Sequence, residues 1–184
     1  MILLGITGTH GAGKGTITDY LTRTHGFVSF SVSEFLAEEA VRRGRTPDRP
    51  TRGAIANEYR SQSPIALMEA AFAAIDPTLE QVILEPQYTV EEVHFIQSRG
   101  GLVLAVDASL ETRYDRVHVR GSAKDDVSFE EFKAAQEREM GSQDSNQQNL
   151  AAAMAAADVQ LTNDGGVEEF EWVIEQVLTE RGLV

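Results

Sequence analysis

The sequence predicts an α/β fold: a three-layer sandwich with a five-stranded parallel sheet between two layers of helices. Three observations carry this. Short apolar, β-branched runs alternate with helical patterns five times along the 184 residues, an order that parallel strands joined by right-handed crossovers produce. A glycine-rich stretch, Gly8-Thr-His-Gly-Ala-Gly-Lys-Gly-Thr16, joins the first strand to the first helix. Gly8, Glu85, Asp107 and Asn163 fall at the carboxyl ends of strands, where sheets of this kind bind ligands.

The first strand is Ile2-Leu-Leu-Gly-Ile-Thr7, continuous and apolar as a strand buried on both faces must be. Beyond the glycine-rich loop, Ile17, Tyr20 and Leu21 recur at helical spacing. Residues 27–31 read as a second strand and 34–43 as a helix. The segment 42–52 holds two prolines, a glycine and five arginines and reads as a loop. Helical patterns resume near Ile55 and from Pro64 to Ile75, closed by Asp76-Pro77. Gln81-Val-Ile-Leu-Glu85 is a third strand stopped by Pro86, and Val90 to Ile96 a short helix ending at Gly100-Gly101. Leu102-Val-Leu-Ala-Val106 is the clearest strand, followed by a helix capped by Ser109. Residues 120–127 are turn-like, Ser128-Phe-Glu-Glu131 opens a helix with a capping box, and 150–157 is helix-favouring. Residues 158–162 make a last strand and Asn163-Asp-Gly-Gly166 a turn; the final helix presents Val167, Phe170, Ile174, Val177 and Leu178, with Trp172 expected to pack on it.

Length and pattern suit one domain over 1–184 with a single substantial core. Without cysteine, structural disulfides and thiolate metal sites are excluded. The N-terminal apolar run is too short for a signal peptide or a membrane span, so a soluble, cytoplasmic protein without membrane partners is expected. With 29 acidic against 16 basic residues, the net charge of −13 disfavours a general nucleic-acid coat. The arginines nevertheless concentrate at 42, 43, 45, 49, 52 and 60 and at 113, 116 and 120. An acidic shell around a cationic centre suits a compact phosphorylated substrate.

In the loop, Gly8, Gly11 and Gly13 let the backbone turn its N–H groups inward, and the helix behind them adds its positive end. Thr9, His10 and Ala12 complete this cradle, and Lys14 supplies a mobile charge for β- and γ-phosphates. The residue after the lysine is Gly15 where a magnesium-ligating hydroxyl is usual; the hydroxyl follows on Thr16. This Gly-Lys-Gly-Thr ending resembles the loop of adenylate kinases and related nucleoside monophosphate kinases, P-loop enzymes that use ATP and hold magnesium largely through waters. Arg113-Tyr-Asp-Arg-Val-His-Val-Arg120, Asp125-Asp-Val-Ser-Phe-Glu-Glu-Phe132, Glu137-Arg-Glu and Asn163-Asp-Gly widen the likeness to small bacterial, archaeal and phage kinases grouped with dephospho-CoA and nucleotide kinases.

The resemblance implies a short lid over ATP at 113–128 carrying Arg113, Arg116 and Arg120, the Asn163 turn near the adenine, and an acceptor-binding helical region at 31–75 with Ser33, Arg52 and Arg60. Gln87 and Tyr88 are expected to reach the acceptor, and Thr16 and Glu85 to organise magnesium. Phosphoryl transfer needs mainly positioning and charge neutralisation, so arginines are apt tools. Glu85 divides the reading. Related nucleotide kinases follow this strand with an arginine for the acceptor phosphate; here no arginine precedes Arg99. A (deoxy)nucleotide phosphate acceptor leads. A hydroxyl acceptor (dephospho-CoA, a nucleoside or a hydroxymethylated base in phage DNA) with Glu85 as general base is the alternative, and only it admits a nucleic-acid partner. A nucleotide-binding regulator without activity is a third reading. The chain is expected to be a monomer or homodimer.

Overall fold

The computed structural model of the chain describes residues 1–119, 128–140 and 149–183. Five parallel strands, β1 (Ile2–Gly8), β2 (Val28–Ser31), β3 (Gln81–Glu85), β4 (Leu102–Asp107) and β5 (Val159–Thr162), form one sheet in the order β2-β3-β1-β4-β5. Between them run α1 (Lys14–His25), α2 (Val32–Arg42), α3 (Arg49–Gln62), α4 (Ala66–Ala73), α5 (Val90–Gln97), α6 (Leu110–Val119), α7 (Phe129–Met140), α8 (Leu150–Ala156) and α9 (Val167–Glu180). β1 pairs with β3 on one side and β4 on the other, so crossovers leave it in both directions and a crevice opens beyond its carboxyl end.

The period-2 rule of strands sorts the core into two layers. Leu4, Ile6, Ile83, Leu104 and Val106 face Ile17 and Leu21 of α1 and Phe170, Ile174 and Leu178 of α9. Their sequence neighbours Leu3, Val82, Leu84 and Val103 face the opposite layer of α2, α3, α4, α5 and α8, with Leu36, Ile55, Met68 and Ile96 at its centre. The predicted sandwich is therefore observed.

Local structure departs from expectation in three places. Residues 42–52 are not one loop: α2 continues to Arg42 and α3 begins at Arg49. The Asp48 side chain accepts the Thr51 amide 2.8 Å away, and Pro50 sits in the first turn, where its missing N–H costs nothing. Arginine density therefore misled as a loop signal. Trp172 does not pack: it is 64% exposed on α9, and Val167 is also exposed. Among the described residues no helix is long and apolar enough to cross a membrane.

Candidate functional site

The glycine-rich loop leaves β1 at Gly8 and enters α1 at Lys14. Gly8, Gly11 and Gly13 all take positive φ, and at Gly13 (φ 110°) an added Cβ would lie 2.3 Å from Asn163 Nδ2, so only glycine fits. Gly13 is the N-cap of α1 and brings no side-chain cap. The first amides of the helix, at Lys14, Gly15 and Thr16, are thus left for an anion. Lys14 Nζ reaches back across the loop to the carbonyls of Gly8 (2.7 Å) and Thr9 (2.9 Å). Gly15 is exposed with open space around it, and Thr16 is half-buried one residue on. The uncapped helix end and the lysine together make a site that suits an anion such as a nucleotide's phosphates.

The loop is braced from behind. Thr9 Oγ1 donates to Asp107 Oδ1 at the end of β4 (2.5 Å), and Asn163 Nδ2 donates to the Ala12 carbonyl (2.8 Å). Asn163 is buried, with its Oδ1 and carbonyl oxygen receiving Arg116 (3.3 and 2.7 Å), which also reaches Gly165 O. The Asn163 side chain therefore supports the loop rather than facing outward. Arg113 is buried too: Nε donates to Ala108 O, and Nη1 to Gln136 Oε1 of α7. The expected lid arginines thus part ways. Arg113 fixes α6 to α7, Arg116 fixes the Asn163 turn, and Arg120 lies outside the described residues, as does half of the expected lid at 113–128.

A cleft of about 790 Å³ runs from the loop to the α2–α3 wall, with Gly8, His10 and Lys14 at one end and Ser33, Arg52 and Arg60 at the other. Tyr88 also lines it. The structure therefore gathers seven of the expected residues around one space. The His10 ring is 6.3 Å from that of Phe132. Arg52 donates to Ser33 Oγ (3.1 Å), and its Nε has no partner among the described residues. Arg60 is 4% exposed, and its Nε and Nη2 donate to Glu92 Oε1 at 3.0 and 2.7 Å.

Arg49 also lines the cleft, whereas Arg42, Arg43 and Arg45 are turned to carboxylates and add nothing to a cationic centre. Arg42 and Arg43 pair with Glu39, and Arg43 and Arg45 with Glu58. Hydrogen bonding from Arg42, and then from Arg43, holds the Glu39 carboxyl at about 2. The expectation for Gln87 is corrected as well. Gln87 is fully buried, its Nε2 donates to Leu84 O, and its Oε1 would be 2.8 Å from a Cβ on Gly5. It fills the space that Gly5 leaves in the sheet and does not face the cleft.

Glu85 ends β3 and is half-buried, its Oε1 3.0 Å from Thr18 Oγ1 on α1. Burial raises its carboxyl above the usual range, against the lowering effects of the Thr18 hydrogen bond and the Lys14 charge. Sequence reasoning missed two residues here. Thr18 lies one turn beyond Lys14, a spacing that was legible. Glu92 stands three places after Thr89, whose side chain caps α5 by accepting the Glu92 amide; the capping-box signature was legible, but the Arg60 pairing was not.

Among solved structures, a Thermus thermophilus protein, TT1252, matches at TM-score 0.59 with 26% identity over 97% of each chain. Shikimate kinase from Aquifex aeolicus matches at TM-score 0.61 with 18% identity over 99% of each chain, a likeness of fold. A UPF0200 protein of Pyrobaculum aerophilum is 29% identical over 181 residues, 97% of each chain. The AAA domain family matches residues 4–141, from β1 through the phosphate loop and the α2–α3 wall to the end of α7, and the chain belongs to that P-loop, kinase-like family.

Proposed function

We propose that this protein is an ATP-dependent phosphotransferase of the nucleoside monophosphate kinase type, moving the γ-phosphoryl group of ATP to a (deoxy)nucleotide. The observation that carries the reading is the single cleft shared by Lys14 and the loop at one end and Arg52 and Arg60 at the other. A donor's phosphates seated on the loop amides would direct the terminal phosphorus along the cleft, and the guanidinium groups would hold the acceptor and oppose charge build-up. Lys14 would leave the Gly8 and Thr9 carbonyls for the phosphate oxygens. Magnesium bound with the nucleotide supplies charge neutralisation, with Thr16 and Glu85 ordering its waters. In transfer, the bond from the γ-phosphorus to the bridging oxygen of ADP breaks as a bond to an acceptor phosphate oxygen forms.

A second reading replaces that acceptor with an alcohol, and Glu85 favours it. Its half-buried, hydrogen-bonded carboxyl has a raised proton affinity, and it would take the hydroxyl proton as the new phosphorus–oxygen bond forms. The inward turn of Gln87 and the lack of an arginine between Glu85 and Arg99 also favour it. The deciding experiment measures ADP release over a panel of nucleoside and deoxynucleoside monophosphates, nucleosides and dephospho-CoA, with Lys14→Ala as blank. Turnover of a monophosphate supports the first reading, and turnover of hydroxyl compounds alone replaces it with the second. ATP binding without any product makes the chain a nucleotide-binding protein instead.

A further inference from the structure

Glu92 is wholly enclosed, yet none of the expectations drawn from sequence gave it a task. Its two carboxylate oxygens do different things. Oε1 receives both Nε and Nη2 of Arg60, whereas Oε2 receives the backbone amide of Tyr88 at 2.8 Å. One carboxylate thus ties together α3, α5 and the segment after β3, and both residues it holds line the cleft. Arg60 keeps one nitrogen, Nη1, that is buried and has no hydrogen-bond partner among the described residues.

This is a poor arrangement for stability alone. Enclosing an ion pair removes two charges from water, and well-packed apolar residues of the same size do as well or better. Leaving a guanidinium N–H without an acceptor adds a desolvation penalty that a solely structural pair would avoid. Arg52, also on the cleft, repeats the feature with its unpartnered Nε. Two buried cationic donors beside one cleft await an oxygen-bearing anion.

We propose that Glu92 is the positioning residue of the acceptor end: it fixes the Arg60 guanidinium by one edge so that Nη1 stays available to an anionic oxygen of the acceptor. The inference rests on the phosphotransferase reading for the word acceptor, but the anion site itself does not depend on catalysis. A carboxylate of this reach is needed because one oxygen must span two arginine nitrogens while the other holds the Tyr88 amide. In Glu92→Gln the amide oxygen can keep one of these contacts but not both, and the amide N–H groups then face either the guanidinium or the Tyr88 amide, each of which only donates.

The test titrates inorganic phosphate by calorimetry into protein whose phosphate loop is filled with magnesium and a non-hydrolysable ATP analogue. The wild-type chain should bind one further phosphate. Arg60→Met should abolish this, and Glu92→Gln should weaken it at least ten-fold while affinity for the ATP analogue changes less than two-fold. Because Glu92→Gln leaves a buried charge unpaired and could fold poorly, a double variant, Arg60→Met with Glu92→Met, serves as the partner experiment. It should fold like the wild type, hold the analogue and lack the second phosphate. Wild-type phosphate affinity in Glu92→Gln or in the double variant would overturn the proposal, as would equal loss of phosphate and analogue binding or no second phosphate on the wild-type chain. Phosphate binding that behaves as expected in a protein that phosphorylates nothing would leave the anion site standing and remove the phosphotransferase reading.

Discussion

Replacing Gly13 with alanine tests whether the phosphate loop and the Asn163 turn form one mechanical unit. The Gly13 backbone has φ 110° and ψ 24°, a conformation that costs an L-residue about 1–2 kcal/mol. The new methyl would stand 2.3 Å from Asn163 Nδ2, so that side chain must leave. It would give up its 2.8 Å bond to Ala12 O, a net loss of about 1 kcal/mol for a buried hydrogen bond. Together these give about 2–3 kcal/mol, or roughly 4–12 °C in Tm for a chain of this size. Urea and thermal unfolding read the stability, and titration with ATP reads the loop. Gly15→Ala is the matched control, because nothing lies within 4 Å of its Cβ position; it should be neutral or slightly stabilising. Adding Asn163→Ala to Gly13→Ala should cost less than the sum of the two, since both remove the same contact. A Gly13→Ala protein within about 0.5 kcal/mol of wild type, binding ATP normally, would show that the loop and the turn are not coupled.

Two further outcomes concern titration. The Glu85 carboxyl is raised by burial from its ordinary 4.5, so the folded state holds its proton to higher pH than the unfolded chain does. Its destabilising effect is absent below about 4.5, grows as pH rises toward the folded value, and is constant above it. Glu85→Gln should therefore be more stable than wild type at pH 7 and equal to it near pH 4, as urea midpoints would show. Under the hydroxyl-acceptor reading the same variant should also lose about two to four powers of ten in turnover. Glu39 has the opposite sign. With its carboxyl held at about 2, it contributes stability that is full above its unfolded value of 4.5 and fades as pH falls toward 2. Glu39→Gln should accordingly lower the urea midpoint at pH 7 and flatten the acid limb of the stability profile.

The sheet, the loop and the strand ends were legible in the residues alone. Alternation of apolar runs with helical periodicity is a local property of the chain, and the spacing of Gly8, Gly11, Gly13 and Lys14 between an apolar strand and a helical pattern marks the strand-to-helix turn. Local signals also placed every strand within one residue, because buried parallel strands leave no room for polar interruptions. The direction in which each polar side chain turns emerges only once the chain is folded. Nine arginines at the two basic stretches look alike in sequence. Three of them pair with Glu39 and Glu58, Arg113 and Arg116 brace helices and a turn, Arg49, Arg52 and Arg60 line the cleft, and Arg120 lies outside the described residues. Gln87 was read as reaching the acceptor, yet it fills the gap left by Gly5, a residue 82 positions away. Glu92 drew no reading beyond its place in the helix over 90–96, yet it holds Arg60 from 32 positions away. A guanidinium or carboxamide is directed by the nearest complementary group in space, and that group comes from an element whose approach is set by packing of the apolar core, so no local pattern records it.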